Sequence, residues 1–334
     1  MSQDARRGIV CAGNWIVDIV NDIPRWPAPS DLVTIEGQTR GLGGGAANVA
    51  LDLCAFEVDY PVIPVGGVGV DRLGDDVVEQ VERRGMTTAH LQRLTGYPTA
   101  QTLVMNVPGD SRTFFYFPGA NDHVTRASIE LAALGRPRLF YLGYLNLMGE
   151  LDRRRDDGRT EAAVLLEQAR SAGMQTCVDL VSAVSETYRQ TVFATLPAID
   201  VLLLNELEAE RATGVAVVGP DDTQGMEQAA RALLEGGVGQ AVIVHSAECT
   251  VWLDAERSRV FTPAPVPAAA IVSPVGAGDA FAAGVLHGLH EGWTPEATIQ
   301  LAFRAAAACL GGRTASDAIP TLSVLLEMSD ADLG

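Results

Sequence analysis

The sequence predicts an α/β protein: a mostly parallel sheet covered by helices on both faces, making three layers, with a small antiparallel β lid beside it. Three observations carry this. Apolar, β-branched runs alternate with helix-patterned stretches through most of the 334 residues, which is the rhythm of parallel strands joined by crossover helices. Two segments, 14–40 and 99–117, break that rhythm with alternating apolar and polar residues. Near the C-terminus a glycine turn opens directly into a long, small-and-apolar helical pattern.

Strands are expected at 8–12, 62–66, 139–143, 175–180, 201–204 and 241–244, each a short apolar run. Helices are expected at 46–56, 74–84, 160–172, 206–213, 224–235, 277–290 and 295–310. Segment 14–40 holds Ile16, Ile19 and Ile35 amid polar residues and three prolines. Residues 99–117 give two strand-like runs, Gln101–Val107 and Arg112–Phe117, around the turn Pro108-Gly109-Asp110. The main domain is therefore expected over 1–13, 41–98 and 118–334, with the lid formed by 14–40 and 99–117. An apolar lid face needs a cover, either the active-site cleft or a second subunit, so a homodimer through the lid is one expectation. No internal repeat or low-complexity linker interrupts the chain, and Arg153-Arg154-Arg155-Asp156-Asp157 reads as a solvated loop.

Composition narrows the function. Apolar residues make up 47% and charged residues 20%, as in ordinary soluble globular proteins. No apolar run reaches the length of a membrane span, and MSQDARRG leads into no signal-peptide core, so no membrane partner and a cytoplasmic location are expected. The net charge of −18 argues against nucleic acid as a partner. It leaves room for a phosphorylated small molecule, since a few local arginines can outweigh the average field. Every one of the 24 basic residues is arginine. The absence of lysine excludes a Walker-type P-loop, Schiff-base chemistry and lysine-linked cofactors. Cys11, Cys54, Cys177, Cys249 and Cys309 show no CxxC pairing, and structural zinc or a disulfide framework is not expected. His287 and His290 are three apart on one helix but lack a third ligand, and read as partly exposed helix residues.

The run Ser273-Pro274-Val275-Gly276-Ala277-Gly278-Asp279-Ala280-Phe281 is the most informative. Phe281, Val285 and Leu289 repeat every four residues and so share a helix face. Gly276, Ala277 and Gly278 then form the mouth of a buried helix, where free N–H groups and the positive dipole end favour phosphate. Asp279 falls in the first turn beside that anion hole, a placement suited to taking a proton during phosphoryl transfer. The second run, Gly41-Leu42-Gly43-Gly44-Gly45-Ala46-Ala47-Asn48, fits a dinucleotide fingerprint poorly because Glu36-Gly37-Gln38-Thr39-Arg40 before it is no buried strand. It reads better as a loop admitting a small polar ligand, with Asn48 offering a donor and an acceptor to a hydroxyl, or serving simply as a first-turn helix residue. Asp18, just past the first strand, could accept from two sugar hydroxyls or be a surface acid. Asn205 and Glu208, after the strand Val201–Leu204, could share one helix face and order water around Mg²⁺, or form a helix cap.

Together these runs resemble the ribokinase/PfkB carbohydrate-kinase family over nearly the whole chain. Gly13 to Asp18, Gly44-Gly45-Ala46-Ala47-Asn48, Val65-Gly66-Gly67-Val68-Gly69-Val70-Asp71-Arg72-Leu73-Gly74, Gly109-Asp110-Ser111-Arg112-Thr113-Phe114 and Gly119-Ala120-Asn121 fit its N-terminal half. Asn205 and Glu208 match its N-x-x-E motif, and Gly276-Ala277-Gly278-Asp279 its G-A-G-D signature. The resemblance implies a Rossmann-like, ribokinase-like α/β domain with a β lid, ATP and Mg²⁺ as the donor pair, and a sugar or related alcohol as acceptor. It implies Asp279 as general base and Gly276, Ala277 and Gly278 as the anion hole. It places Asp18, Gly44, Gly45, Asn48 and Arg112 at the sugar, Asn205, His245 and Ala247 at the nucleotide, and Asn205 and Glu208 at the metal. Three departures stand out. Ser273-Pro274 replaces the usual Asp-Thr, which argues against K⁺ activation. His245-Ser246-Ala247-Glu248-Cys249-Thr250 lacks both glycines of the usual nucleotide-side turn. Arg40 and Arg112 flank the sugar pocket, facing either a substrate anion or neighbouring acids. A nucleoside kinase of the same family, with Trp15 and Phe115 as stacking platforms, and a catalytically weak sugar-binding regulator are the competing readings.

Overall fold

The computed structural model describes residues 6–108 and 112–328. In chain order the elements are β1 (Ile9–Gly13), β2 (Ile16–Asp22), β3 (Gly37–Gly43), α1 (Gly45–Ala55), β4 (Val62–Gly69), α2 (Arg72–Arg83), β5 (Leu91–Leu94), β6 (Ala100–Asn106), β7 (Thr113–Phe117) and β8 (Leu139–Gly143). There follow α3 (Gly149–Asp152), α4 (Glu161–Ser171), β9 (Gln175–Asp179), α5 (Tyr188–Thr195), β10 (Val201–Asn205), α6 (Glu206–Thr213) and α7 (Thr223–Glu235). The chain then forms β11 (Ala241–His245), β12 (Thr250–Asp254), β13 (Ser258–Phe261), α8 (Ala277–Glu291), α9 (Pro295–Leu310) and α10 (Leu322–Glu327). Each of the six expected strands and seven expected helices is present.

The main sheet runs β13-β12-β11-β10-β9-β8-β1-β4-β5. From β11 to β5 every pairing is parallel, and β12 and β13 add an antiparallel edge. Its strands are continuous apolar runs because both faces are covered. On β1, Ile9 and Cys11 enter the core beneath α1, α8 and α9, while Val10 and Ala12 enter the core on the α4–α7 side. Phe281 and Val285 on α8 are buried and Leu289 packs against the same core, as the four-residue repeat predicts. Close packing of α8 on α9 depends on glycine: a methyl group on Gly284 would come within 2.6 Å of the Ala302 Cα. His287 and His290, expected to be partly exposed, are buried at 4% and 1% exposure. They pack with Tyr60, whose hydroxyl lies 2.9 Å from His287 Nδ1, so they are core residues.

The lid is a four-stranded sheet, β3-β2-β6-β7. Its outer pairs are antiparallel, and a parallel pairing of β2 with β6 joins them. Of the turn Pro108-Gly109-Asp110, Gly109 and Asp110 lie outside the described residues. Register divides the lid into two faces. Asp18, Thr102 and Tyr116 share one; Ile19, Leu103 and Phe115 share the other. In the main sheet, strand order reverses about β1, with β4 on one side and β8 on the other. That is the topological switch point, where α/β sheets open a crevice at the carboxyl ends of their strands.

Candidate functional site

The crevice forms where β1 and β8 end. Asn14 fastens these ends together: its N–H donates to Gly143 O at 2.9 Å, and its Oδ1 accepts from Tyr144 N at 2.7 Å. Tyr144 is thereby aimed across the crevice, and its hydroxyl donates to Asp279 Oδ1 at 2.6 Å. From the other side, Asn48 Nδ2 on α1 donates to Asp279 Oδ2 at 2.8 Å. The Tyr144 ring lies so close to α1 that a methyl group on Gly45 would come within 2.8 Å of it. Glycine is therefore required there by close approach rather than by turn geometry.

Two helices point their N-termini at this place, and neither carries a side-chain cap. The N-cap of α1 is Gly44 and that of α8 is Gly276. By contrast α2, α4, α6, α7 and α9 are capped by Asp71, Thr160, Asn205, Asp222 and Thr294. Gly276 has φ +88°, a left-handed conformation that suits glycine, and a methyl group there would run into the Ala315 backbone at 2.5 Å. The first full helical bond of α8 is Ala280 N to Gly276 O at 2.8 Å. Among the described residues the amides of Gly278 and Asp279 before it make no hydrogen bond. Uncapped N–H groups on a positive dipole end are an anion site without further modification.

Burial dominates the electrostatics. Asp279 is 5% exposed, and desolvation raises its pKa to about 6, with the Tyr144 and Asn48 hydrogen bonds pulling downward. The Tyr144 phenol is pushed well above its ordinary value, by burial first and by the Asp279 charge second, so it stays a donor. Asp18 on β2 is raised to about 6 by burial, held down by the Thr102 hydroxyl, and raised again by Asp279. Its carboxyl group lies over Gly43, where no side chain fits. Asn48 Oδ1 is buried with no partner, leaving an acceptor free beside Asp279. The structure thus brings together Asp279, Gly276, Ala277, Gly278, Asp18, Gly44, Gly45 and Asn48. Arg112, just before β7, lines the same pocket as Asp18 from the lid.

The remaining expected residues sit at the ends of β10 and β11, where Asn205 and His245 are register neighbours. Asn205 and Glu208 form a capping box: Glu208 N donates to Asn205 Oδ1 and Asn205 N to Glu208 Oε2, both at 2.9 Å. Ser182 Oγ donates to Glu208 Oε1 at 2.8 Å. Both carboxylate oxygens are thus engaged, and Glu208 is 5% exposed. His245 stacks on Phe281 at 4.7 Å, and its enclosure pushes the imidazole pKa down to about 4, leaving it neutral. Ala247 is exposed in the turn from β11 to β12. Ser246 Oγ accepts from the N–H groups of Glu248 and Cys249 there, doing with a side chain what glycines do elsewhere in such turns.

Two residues near Asp279 are among those that went unread from sequence. Tyr144 follows a predicted strand, and nothing in its neighbours marks it. Asp52 is fully buried on α1, and neither of its carboxyl oxygens has a hydrogen-bond partner among the described residues. Its position in the helix pattern, between Leu51 and Leu53, was the available signal: an acid on an otherwise apolar run. Neither aromatic expected as a stacking platform is exposed on the Asp18 face of the lid. Trp15 is fully buried with Nε1 donating to Val65 O at 3.0 Å, and Phe115 is on the lid face opposite Asp18.

A family model, pfkB family carbohydrate kinase, matches residues 6–322, and the chain belongs to that family of phosphotransferases with alcohol acceptors. A ribokinase of Arabidopsis thaliana is 24% identical over 330 residues, covering 96% of this chain and 80% of the relative. An adenosine kinase of Saccharomyces cerevisiae is 25% identical over 271 residues, covering 79% and 76%. The solved structure of the Arabidopsis thaliana ribokinase complexed with ribose and ATP superposes with a TM-score of 0.80 at 21% identity, covering 97% of this chain and all of that one.

Burial, and after it the Asp279 charge, raises the Asp52 pKa well above its ordinary value. A raised folded-state pKa means stability is lost as pH climbs from the unfolded value through the folded one. Asp52→Asn should therefore gain in melting temperature relative to the parent as pH rises from 4 to 8. A difference independent of pH would show that the group titrates as it does in the unfolded chain.

Proposed function

We propose that this chain is an ATP-dependent sugar kinase, transferring the γ-phosphoryl of Mg·ATP to a hydroxyl of a small carbohydrate. The observation that carries the reading is the Asp279 carboxylate, held by Asn48 and Tyr144 at the uncapped mouth of α8. The acceptor hydroxyl oxygen forms a bond to the γ-phosphorus, the bond from that phosphorus to the β–γ bridging oxygen breaks, and ADP leaves. The hydroxyl proton passes to Asp279. The free amides of Gly278 and Asp279, with Gly276 and Ala277 shaping the turn, face the charge that develops on the phosphoryl oxygens. Asp18 and the free Asn48 Oδ1 offer acceptors that fix the sugar, and Gly44 and Gly45 keep the approach clear. The nucleotide lies toward Asn205, His245 and Ala247.

Mg²⁺ prefers hard oxygen donors and keeps several waters. The residues present suit it: Asp179 lies close enough to both Glu208 and Asp279 that their charges, after burial, raise its pKa. Since both oxygens of Glu208 already hold hydrogen bonds, Asn205 and Glu208 would act on the ion through its waters. The ion would supply charge neutralisation along the phosphate chain. Five free cysteines suit a reducing cytoplasm. On the lid, Leu103, Phe115 and Phe117 are 39%, 52% and 45% exposed on one face, away from Asp18. This face supports a homodimer formed lid to lid. Sedimentation of the protein and of Leu103→Glu reads this directly, with a dimer expected for the first and a monomer for the second; a monomeric parent would end the idea.

ADP release with Mg·ATP across pentoses, hexoses, keto-acid sugars and nucleosides tests the main reading. Turnover should fall along an acid limb with a midpoint near pH 6, because only ionised Asp279 accepts the proton. Asp279→Asn should lose ~10²–10⁴ in kcat with little change in sugar affinity. Near-normal turnover would remove Asp279 as the base, and sugar binding without any turnover would make the chain a regulator.

A further inference from the structure

Arginine in this chain is mostly spoken for. Arg126, Arg153 and Arg155 converge on Glu161, Arg170 pairs with Asp200, Arg259 with Asp254, and Arg304 donates to two backbone carbonyls. That is the expected state when 42 acids surround 24 basic residues. Among the described residues five arginines lack such a partner: Arg138, Arg189, which lies over the Phe193 ring, and three that share one place. Arg40 on the lid's edge strand β3, Arg112 at the start of β7 and Arg313 after α9 line one pocket together with Asp18, Thr39 and Thr314. They come from three separate parts of the chain. Among the described residues, none of their guanidinium groups has an ion-pair or hydrogen-bond partner.

The pocket is built rather than incidental. Loop 313–315 is tied by Asp317, whose carboxylate accepts from Arg313 N at 3.3 Å and Thr314 N at 3.2 Å. That carboxylate is engaged with the backbone, so it fixes the loop without neutralising the Arg313 side chain. The loop also abuts the lid: a methyl group on Gly41 would meet the Thr314 methyl at 3.4 Å. Lid and main domain therefore close over the same space from opposite sides, and Val275, beside the α8 mouth, lines it too. Planar guanidinium forks favour bidentate pairing with phosphate or carboxylate, and a neutral sugar gives them no such partner. On a chain carrying −18, a local cationic patch is also what an anionic acceptor needs in order to approach.

Resting on the kinase reading above, we propose that the acceptor sugar carries an anionic group, a phosphate ester or a carboxylate, bound by Arg112 and Arg313 with Arg40 at the lid edge. The anion anchors one end of the acceptor at the lid, Asp18 holds hydroxyls between, and the reacting hydroxyl is presented to Asp279. The acceptor's own charge, and not its hydroxyls alone, then sets specificity.

The test compares three acceptors of one carbon skeleton, the neutral sugar, its terminal monophosphate and its sugar acid, by ADP release. One charged form is expected to exceed the neutral parent in kcat/KM by ~10²-fold, and which one does so separates phosphate from carboxylate. Arg112→Ala and Arg313→Ala should each raise KM for that form ~10–10²-fold, the scale of a lost charged hydrogen bond, and by more than they raise it for the neutral sugar. Arg→Lys at either position should recover part of the loss. Equal or better use of the neutral sugar, with the variants unaltered, would overturn the inference and leave the kinase standing. Calorimetry of the same three compounds without nucleotide reads the inference independently of turnover. Binding of a charged form that weakens in the arginine variants supports it, and binding indifferent to charge refutes it. Absence of turnover on all acceptors would instead count against the kinase reading.

Discussion

A carboxylate buried where two uncapped helices meet is the constraint on which the rest of this structure depends. Taking Asp279 out of water is costly, and burial alone drives its pKa upward. Two hydrogen bonds to the charged form, from Tyr144 and Asn48, keep it within reach of ionisation near neutrality. Holding those two donors in place accounts for much of the local architecture. Asn14 locks β1 to β8 and so aims Tyr144; Gly45 makes room for the Tyr144 ring; α1 carries Asn48 inward from a glycine start. Gly276 in turn adopts the left-handed turn that delivers Asp279 to the first turn of α8.

Around that point the structure gives up stability for chemistry. Asp18, Asp52 and Asp179 are all enclosed and all raised in pKa, each partly by the charge of Asp279. Such a concentration of acid suits a site that receives cations and polarised phosphate, and it would serve poorly as a structural core. At the lid, Asp18 shares a pocket with three arginines that have no partner among the described residues. Away from the crevice α2, α4, α7 and α9 are capped by side chains, and most arginines find acids or carbonyls.

The fold was legible because its signals are local. Doubly covered strands must be continuous apolar runs, and helices must repeat near every fourth residue, so the six strands and seven helices stood out. The missed strands include the two edges of the main sheet, Leu91–Leu94 and Ser258–Phe261, and the strand next to one of them, Thr250–Asp254. An edge strand has one pairing partner and less burial, which weakens its pattern. The parallel join of β2 to β6 depends on a crossing of chain segments about eighty residues apart, which no local pattern records. The glycine-bounded site residues were visible for a similar reason, since close approach and a positive φ leave glycine in the sequence. Tyr144 was invisible because its role comes from a partner 135 residues away. Arg313 and Asp52 likewise gain meaning only from what packs beside them, and the Asn205–Glu208 spacing fits a cap and a metal site equally well.

Direct titration of the Asp279 carboxyl group tests this account most closely. Carbon-detected NMR of protein labelled at aspartate carboxyls, with the resonance assigned by its loss in Asp279→Asn, would follow ionisation in the unliganded protein. A midpoint near pH 6 is predicted, shifting upward in Tyr144→Phe as one hydrogen bond to the charged form is removed. A midpoint near the ordinary aspartate value of about 4, unmoved by loss of the Tyr144 hydroxyl, would contradict it.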